Sequence, residues 1–132
     1  MQKDRKNDLC KYRMQNALES LDVAEDCFEK NHYKDAINRS YYAAFYAIKA
    51  ILALEETDFK RHKDVVAYFN KTYVATDIFS KDTGRKIARL QQKREKSDYD
   101  DFYIASKEET TEQLEYAKTV IHEIERYLRE KQ

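Results

Sequence analysis

Apolar residues recur at steps of three and four along most of this chain, the spacing that lines one face of an α-helix. Met14, Ala17, Leu18, Leu21, Ala24, Cys27 and Phe28 follow that step and predict a first helix from about Asp8 to Lys30. Asn31 and His32 interrupt it, and a second helix is expected from about Tyr33 to Glu56. Thr57 and Asp58 offer an N-cap for a third, from about Phe59 to Tyr73, with Val65, Val66 and Phe69 on its inner face. Residues 75–80 read as a loop. The fourth helix, from about Lys81 to Lys96, has only Ile87, Ala88 and Leu90 as apolar anchors and is expected to be largely exposed. In the connector SDYDDFYIAS, Tyr99, Phe102 and Tyr103 are expected to plug the bundle. The last helix, from about Lys107 to Arg129, carries the stripe Leu114, Ala117, Val120, Ile121, Ile124 and Leu128. Ser106 and Glu109 form an S-x-x-E capping box at its start.

The second helix separates into three sides when its residues are placed at about 100° intervals. Ile37, Tyr41, Ala44, Phe45, Ile48, Ile51 and Leu52 make a broad core face. Ala36, Ala43, Ala47 and Ala50 cluster on a second side, where small side chains let another helix, or a partner subunit, approach closely. Asn38, Arg39, Tyr42, Tyr46 and Lys49 form a narrow polar and aromatic strip. A helix apolar over so much of its circumference belongs at the centre of a bundle or in a shared interface.

Composition strengthens the helical reading. The 132 residues include one Gly (Gly84) and no Pro, which argues against turn-rich β folds and excludes the Gly-rich loops that cradle phosphates. The expected architecture is an all-α antiparallel bundle of about five helices. It forms a single domain over residues 1–132 with its core at about 8–130 and no repeat or Pro/Gly linker. No apolar stretch is long enough for a membrane span and the N-terminus lacks a secretion signal, so a soluble cytoplasmic protein is expected. Cys10 and Cys27 have neither C-x-x-C nor zinc-site spacing and read as reduced thiols. No metal and no cofactor is expected.

The formal net charge of zero hides two opposed blocks. From Lys81 to Lys96, seven basic residues stand against Asp82 and Glu95, a net of +5; from Ser97 to Glu115, seven acids stand against Lys107, a net of −6. Arg85, Arg89 and Lys93 fall at i, i+4 and i+8, a stripe able to track a phosphate backbone, or a solvated face neutralised by the acidic segment. Of the three histidines, His32, His62 and His122, no pair has metal-ligand spacing. His62, beside Arg61, is the one to watch as a functional residue, set against a capping or packing role.

The stretch NHYKDAINRSYYAAFYAIKAIL, the H-x-x-V-x-x-x-F at His62, Val65 and Phe69, and the block REKSDYDDFY together resemble the small prokaryotic HEPN domains over roughly residues 10–130. The resemblance implies an antiparallel helical bundle that commonly dimerises, often encoded beside a small nucleotidyltransferase in toxin–antitoxin-like pairs. Many members are metal-independent RNases whose signature is an Arg followed by a His after four to six residues, acting across a dimer cleft. This chain lacks it: none of positions 25–27, 55–57 and 115–117 is Arg. The nearest matches, Arg94-x4-Tyr99 and Arg39-x6-Tyr46, put a Tyr where the His would stand. A phenol, with a reference pKa near 10, is a poor general base at pH 7. The expectation is therefore a binding module with weak or no catalysis. Arg39, Tyr42, Tyr46, Arg94 and Tyr99 would be its site, the arginines for phosphate and the tyrosines for the cleft or a base. Its partners would be a second copy, a small nucleotidyltransferase, and nucleotide or RNA. The alternatives are a ribonuclease toxin in which His62 or a tyrosine replaces the missing histidine, with Arg94, Tyr99 and His62 as the catalytic candidates, and a purely structural interaction bundle in which the two arginines pair with the acids of 98–101.

Overall fold

The computed structural model describes the backbone of residues 2–131 and the side chains of residues 5–131. Five α-helices follow in order: α1 Gln2–Glu29, α2 Tyr33–Leu54, α3 His62–Phe69, α4 Lys81–Tyr99 and α5 Lys107–Lys131. A π-helical turn, Asn70–Val74, continues α3. No strand occurs among the described residues. None of the described helices is long and apolar enough to cross a membrane.

α1 and α2 form the most extensive helix pair, and α2 also packs on α5, α4 and α3, which makes it the central helix. Its expected core face is buried throughout. So is the alanine side: Ala36, Ala43, Ala47 and Ala50 have no exposed surface within the single chain. The close approach those alanines permit is thus met inside the chain, where α1 contributes Ala17 and Ala24, likewise fully buried. That side is not available to a partner subunit. The stripe of α5 from Leu114 to Leu128 is buried as its spacing requires.

Helix ends depart from the periodicity where tertiary contacts intervene. α1 extends back to Gln2, ahead of the expected Asp8, over a charged run that has no apolar period for a pattern to register. α1 and α2 each end in a Schellman motif. The His32 N–H reaches the Cys27 carbonyl with Asn31 in the left-handed region, and the Thr57 N–H reaches Leu52 with Glu56 likewise. α3 begins at His62 rather than Phe59. The carboxylate of Asp58, the expected cap, is drawn instead to Lys49 (3.0 Å) and Arg13 (3.3 Å), and the one backbone N–H it accepts among the described residues is that of Phe59. α4 runs on to Tyr99, its last turn held by the Arg94–Asp98 pair. At the start of α5 the Ser106 hydroxyl accepts the Glu109 N–H at 3.0 Å, which is half of the capping box. The Glu109 carboxylate turns to Lys93 and to the Tyr103 hydroxyl instead of the Ser106 backbone.

The connector corrects another expectation. Only Tyr103 plugs the bundle; Tyr99 is 75% and Phe102 93% exposed. An Asx turn, in which Asp100 accepts the Phe102 N–H at 3.0 Å, combines with the Tyr103–Glu109 bond to aim Tyr103 inward and leave its neighbours outside.

The single glycine is not used for a left-handed turn. The non-Gly residues Asn31, Glu56 and Asp77 take positive φ instead. Gly84 sits in the first turns of α4, where a Cβ would lie 2.9 Å from Val74 Cγ1.

Candidate functional site

The polar strip of α2 faces the middle of α4 and the first turn of α3. Arg94 of α4 donates from Nη2 to the Tyr42 hydroxyl at 3.1 Å, and its guanidinium lies 5.4 Å from the centroids of both Tyr41 and Tyr42. Its Nε is 2.9 Å from the Asp98 carboxylate, one turn on, though too far out of line to count as a hydrogen bond. Arg39 covers the Tyr42 ring at 4.9 Å. Tyr42 is thus in contact with two guanidinium groups, and Tyr46 follows one turn along, its ring 6.0 Å away.

Arg39 and Arg94 are held differently. Arg94 has a carboxylate and a phenol. Arg39 directs Nε and Nη2 to the amide oxygen of Asn38, at 3.2 and 2.9 Å, and no carboxylate lies within ion-pair distance of it among the described residues. Asn38 is linked in turn to Asp98 by a long contact of 3.5 Å. A guanidinium stays charged at any physiological pH, so Arg39 is a half-buried cation whose near partners are a neutral amide and a ring face. That arrangement suits an incoming anion, and phosphate above all, because a guanidinium offers paired donors in its plane.

His62 joins the same cluster although 32 residues of chain separate it from Arg94. Its ring centre is 4.1 Å from that of Phe45 and 5.6 Å from that of Tyr42, and its Nδ1 is 3.5 Å from the Tyr41 hydroxyl. Burial, reinforced by the charges of Arg94 and Lys49, lowers the His62 pKa, so the imidazole is neutral at pH 7. Burial pushes the Tyr41 hydroxyl up to about 12, against the opposing pull of Arg94, so it remains a phenol. A phenol and a neutral imidazole can each donate or accept, so the direction of this contact follows the ring tautomer, and one ring nitrogen of His62 remains unprotonated.

Of the residues expected from sequence, the structure brings Arg39, Tyr42, Tyr46 and Arg94 together, adds His62 to them, and leaves Tyr99 out. The exposed Tyr99 has no ring or guanidinium packed on it among the described residues. Sequence reasoning missed Tyr41 and Phe45 as cluster members, whereas Asn38 already stood on the strip and Asp98 among the acids able to pair with the arginines, as it does with Arg94. The first two were assigned to the core by their helical angle alone, and nothing in the spacing reported that His62 closes over them. The stripe on α4 is partly neutralised. Arg85 is 3.6 Å from Asp82, and Lys93 pairs with Glu109 of the acidic block. No three His, Cys, Asp or Glu side chains converge among the described residues. His32 is exposed beside Asp35, and His122 lies on the outer face of α5.

The family model of the HEPN domain matches residues 10–127. A UPF0332 protein of Thermotoga maritima is 28% identical over 123 residues, covering 93% of both chains. Two candidate toxins of Methanocaldococcus jannaschii are also similar. One is 32% identical over 112 residues, 85% of this chain and 78% of its own length; the other is 28% identical over 115 residues, 87% and 78%. With an all-helical bundle and a family match that spans nearly its whole length, the chain belongs to the HEPN domain family.

Proposed function

We propose that this protein is a toxin-like HEPN module that binds the phosphate of RNA or of a nucleotide in the Arg39–Tyr42–Arg94 cluster. The observation that carries this reading is Arg39, a half-buried guanidinium beside a second guanidinium with no carboxylate of its own among the described residues. Tyr42 and Tyr46 supply ring faces next to the cations, the pairing that binds single-stranded nucleic acid through backbone charge and base stacking. The candidate toxins among its relatives support a role of that kind, and the family resemblance supports a homodimer working with a small nucleotidyltransferase. Titration of a fluorescently labelled single-stranded RNA tests it. Affinity must fall linearly with salt on a double-logarithmic plot, losing about 0.7 in slope for each phosphate contact removed. No binding of RNA or of nucleotide at low salt would refute it.

His62 favours a second reading, residual metal-independent ribonuclease activity. A neutral imidazole close to Arg94 is equipped to accept the proton of a ribose 2′-hydroxyl while the guanidinium holds the phosphate. Cleavage in the presence of chelator that disappears in His62→Gln, with RNA binding retained, is the expected sign. Intact RNA with the wild-type protein rejects this reading and leaves the binding one standing.

A further inference from the structure

The anion nearest the two arginines is one of the protein's own. Asp98 stands in the last turn of α4, and a single oxygen of its carboxylate, Oδ2, lies 2.9 Å from Arg94 Nε and 3.5 Å from Asn38 Nδ2. Neither contact is well made. The first is too far out of line for a hydrogen bond and leaves the buried Nε without an acceptor among the described residues. The second is at the limit of hydrogen-bonding length. Asn38 in turn gives its amide oxygen to Nε and Nη2 of Arg39. One carboxylate therefore serves Arg94 directly and Arg39 only at one remove, through a neutral amide.

Three donor groups thus surround a place that Asp98 half fills: the Nε–H of Arg94, the amide N–H of Asn38 and, one amide group away, the paired N–H groups of Arg39. A buried donor without an acceptor is a standing cost that a better-placed acceptor removes. The carboxylate brings two oxygens on a tether that fixes their direction. An internal phosphodiester also brings two free oxygens. A terminal phosphomonoester brings three, with a charge of about −1.5 to −2 at pH 7.

Charge ranks the ligands in the same order. A phosphodiester that displaces Asp98 exchanges one negative charge for another beside the same two guanidinium groups, with little net gain. A phosphomonoester adds a second charge to match the second guanidinium. Lys49 is held by Asp58 and His62 is neutral, so neither alters that count, and Glu95 lies out in solvent where its charge is screened. Displacement is local: Asp98 is one residue from the end of α4, and rotation of its side chain releases the carboxylate to water.

We infer that the Arg39–Asn38–Arg94 site selects a terminal phosphomonoester, at the end of an RNA chain or on a free nucleotide, over an internal phosphodiester. Asp98 is the resident competitor that an incoming anion must displace. This selectivity rests on the assignment of phosphate to the cluster.

Anisotropy titration of the full chain tests it with two single-stranded RNAs of one sequence, both labelled at the 3′ end, one bearing a 5′-phosphate and the other a 5′-hydroxyl. The 5′-phosphate RNA is expected to bind about tenfold more tightly or better, the worth of one further charge-assisted hydrogen bond. AMP is expected to compete and adenosine is not, and the ratio of AMP to 5′-phosphate RNA affinities separates a free nucleotide from an RNA end as the source. Asp98→Asn, checked for folding by circular dichroism, is expected to tighten binding of both RNAs about tenfold, because no carboxylate has to leave. Equal affinity for the two RNAs overturns the selectivity and leaves the phosphate site standing. Unchanged affinity for the 5′-phosphate RNA in folded Asp98→Asn overturns the role of Asp98. Absence of binding by both RNAs and by AMP overturns the phosphate site together with the inference.

Discussion

Replacing Arg39 and Arg94 separately by Gln is expected to divide ligand binding from stability. Arg94 ties α4 to α2 through one hydrogen bond from a charged donor to Tyr42, and it neutralises Asp98, a pair whose side chains are only 18% and 28% exposed. Losing that bond and leaving Asp98 without its cation costs about 1.5–3 kcal/mol. For a domain of this size that is roughly 5–12 °C in Tm. Arg39 makes only a contact with its chain neighbour Asn38 and a ring contact with Tyr42, so Arg39→Gln should cost about 0.5–1 kcal/mol at most. Toward a phosphate ligand the order changes. Each arginine that contacts a phosphate contributes a charge-assisted bond, so either substitution should weaken RNA binding about tenfold to a hundredfold and reduce the salt slope by about 0.7. Arg39→Gln is then the informative variant: nearly native on melting, impaired on RNA. Thermal denaturation by circular dichroism paired with anisotropy titrations at several salt concentrations reads both quantities. Unchanged affinity and slope in Arg39→Gln would refute the assignment of that guanidinium to phosphate. A melting temperature equal in both variants would refute the clamp assigned to Arg94.

Three further outcomes follow from the packing. Gly84→Ala gains about 1 kcal/mol of helix propensity but drives a Cβ against Val74, whose branched side chain has little rotamer freedom; a net loss of about 1 kcal/mol is expected, and a chemical-denaturation cycle with Val74→Ala should reveal a coupling that a loss unrelated to Val74 would lack. Because burial and nearby cations depress the His62 pKa, the unfolded chain binds that proton more readily; stability from this group is fully present above the unfolded value near 6.5 and declines as pH falls from there to the folded pKa. His62→Gln should therefore flatten the profile of stability against pH just below 6.5, and identical wild-type and variant slopes there would count against the assigned environment. Cys10 is buried with its thiol pKa raised by burial, while Cys27 is half-buried, so a thiol reagent should modify Cys27 well before Cys10 in the native protein and both equally in denaturant.

The all-helical fold, the element order and the inner faces of α2 and α5 were determined by the sequence itself. They depend on a period of 3.6 residues and on the near absence of Gly and Pro, both local properties of the chain. The arginines and tyrosines of the α2 strip were legible for the same reason: they share an angular sector of one helix. What lay beyond local pattern was decided by tertiary contact. Which helix covers the alanine side depends on α1 folding back across it. Asp58 is not the cap of α3 because Lys49 and Arg13 claim its carboxylate. Tyr99 and Phe102 point outward while Tyr103 points in, because one Asx turn and one hydrogen bond to Glu109 set the direction of the connector. His62 illustrates the limit most clearly. An Arg a few residues before a His is absent along the chain, yet packing of α3 and of α4 on α2 brings an imidazole beside Arg94 and Tyr42, since a folded bundle sets proximity by helix packing and not by spacing in sequence.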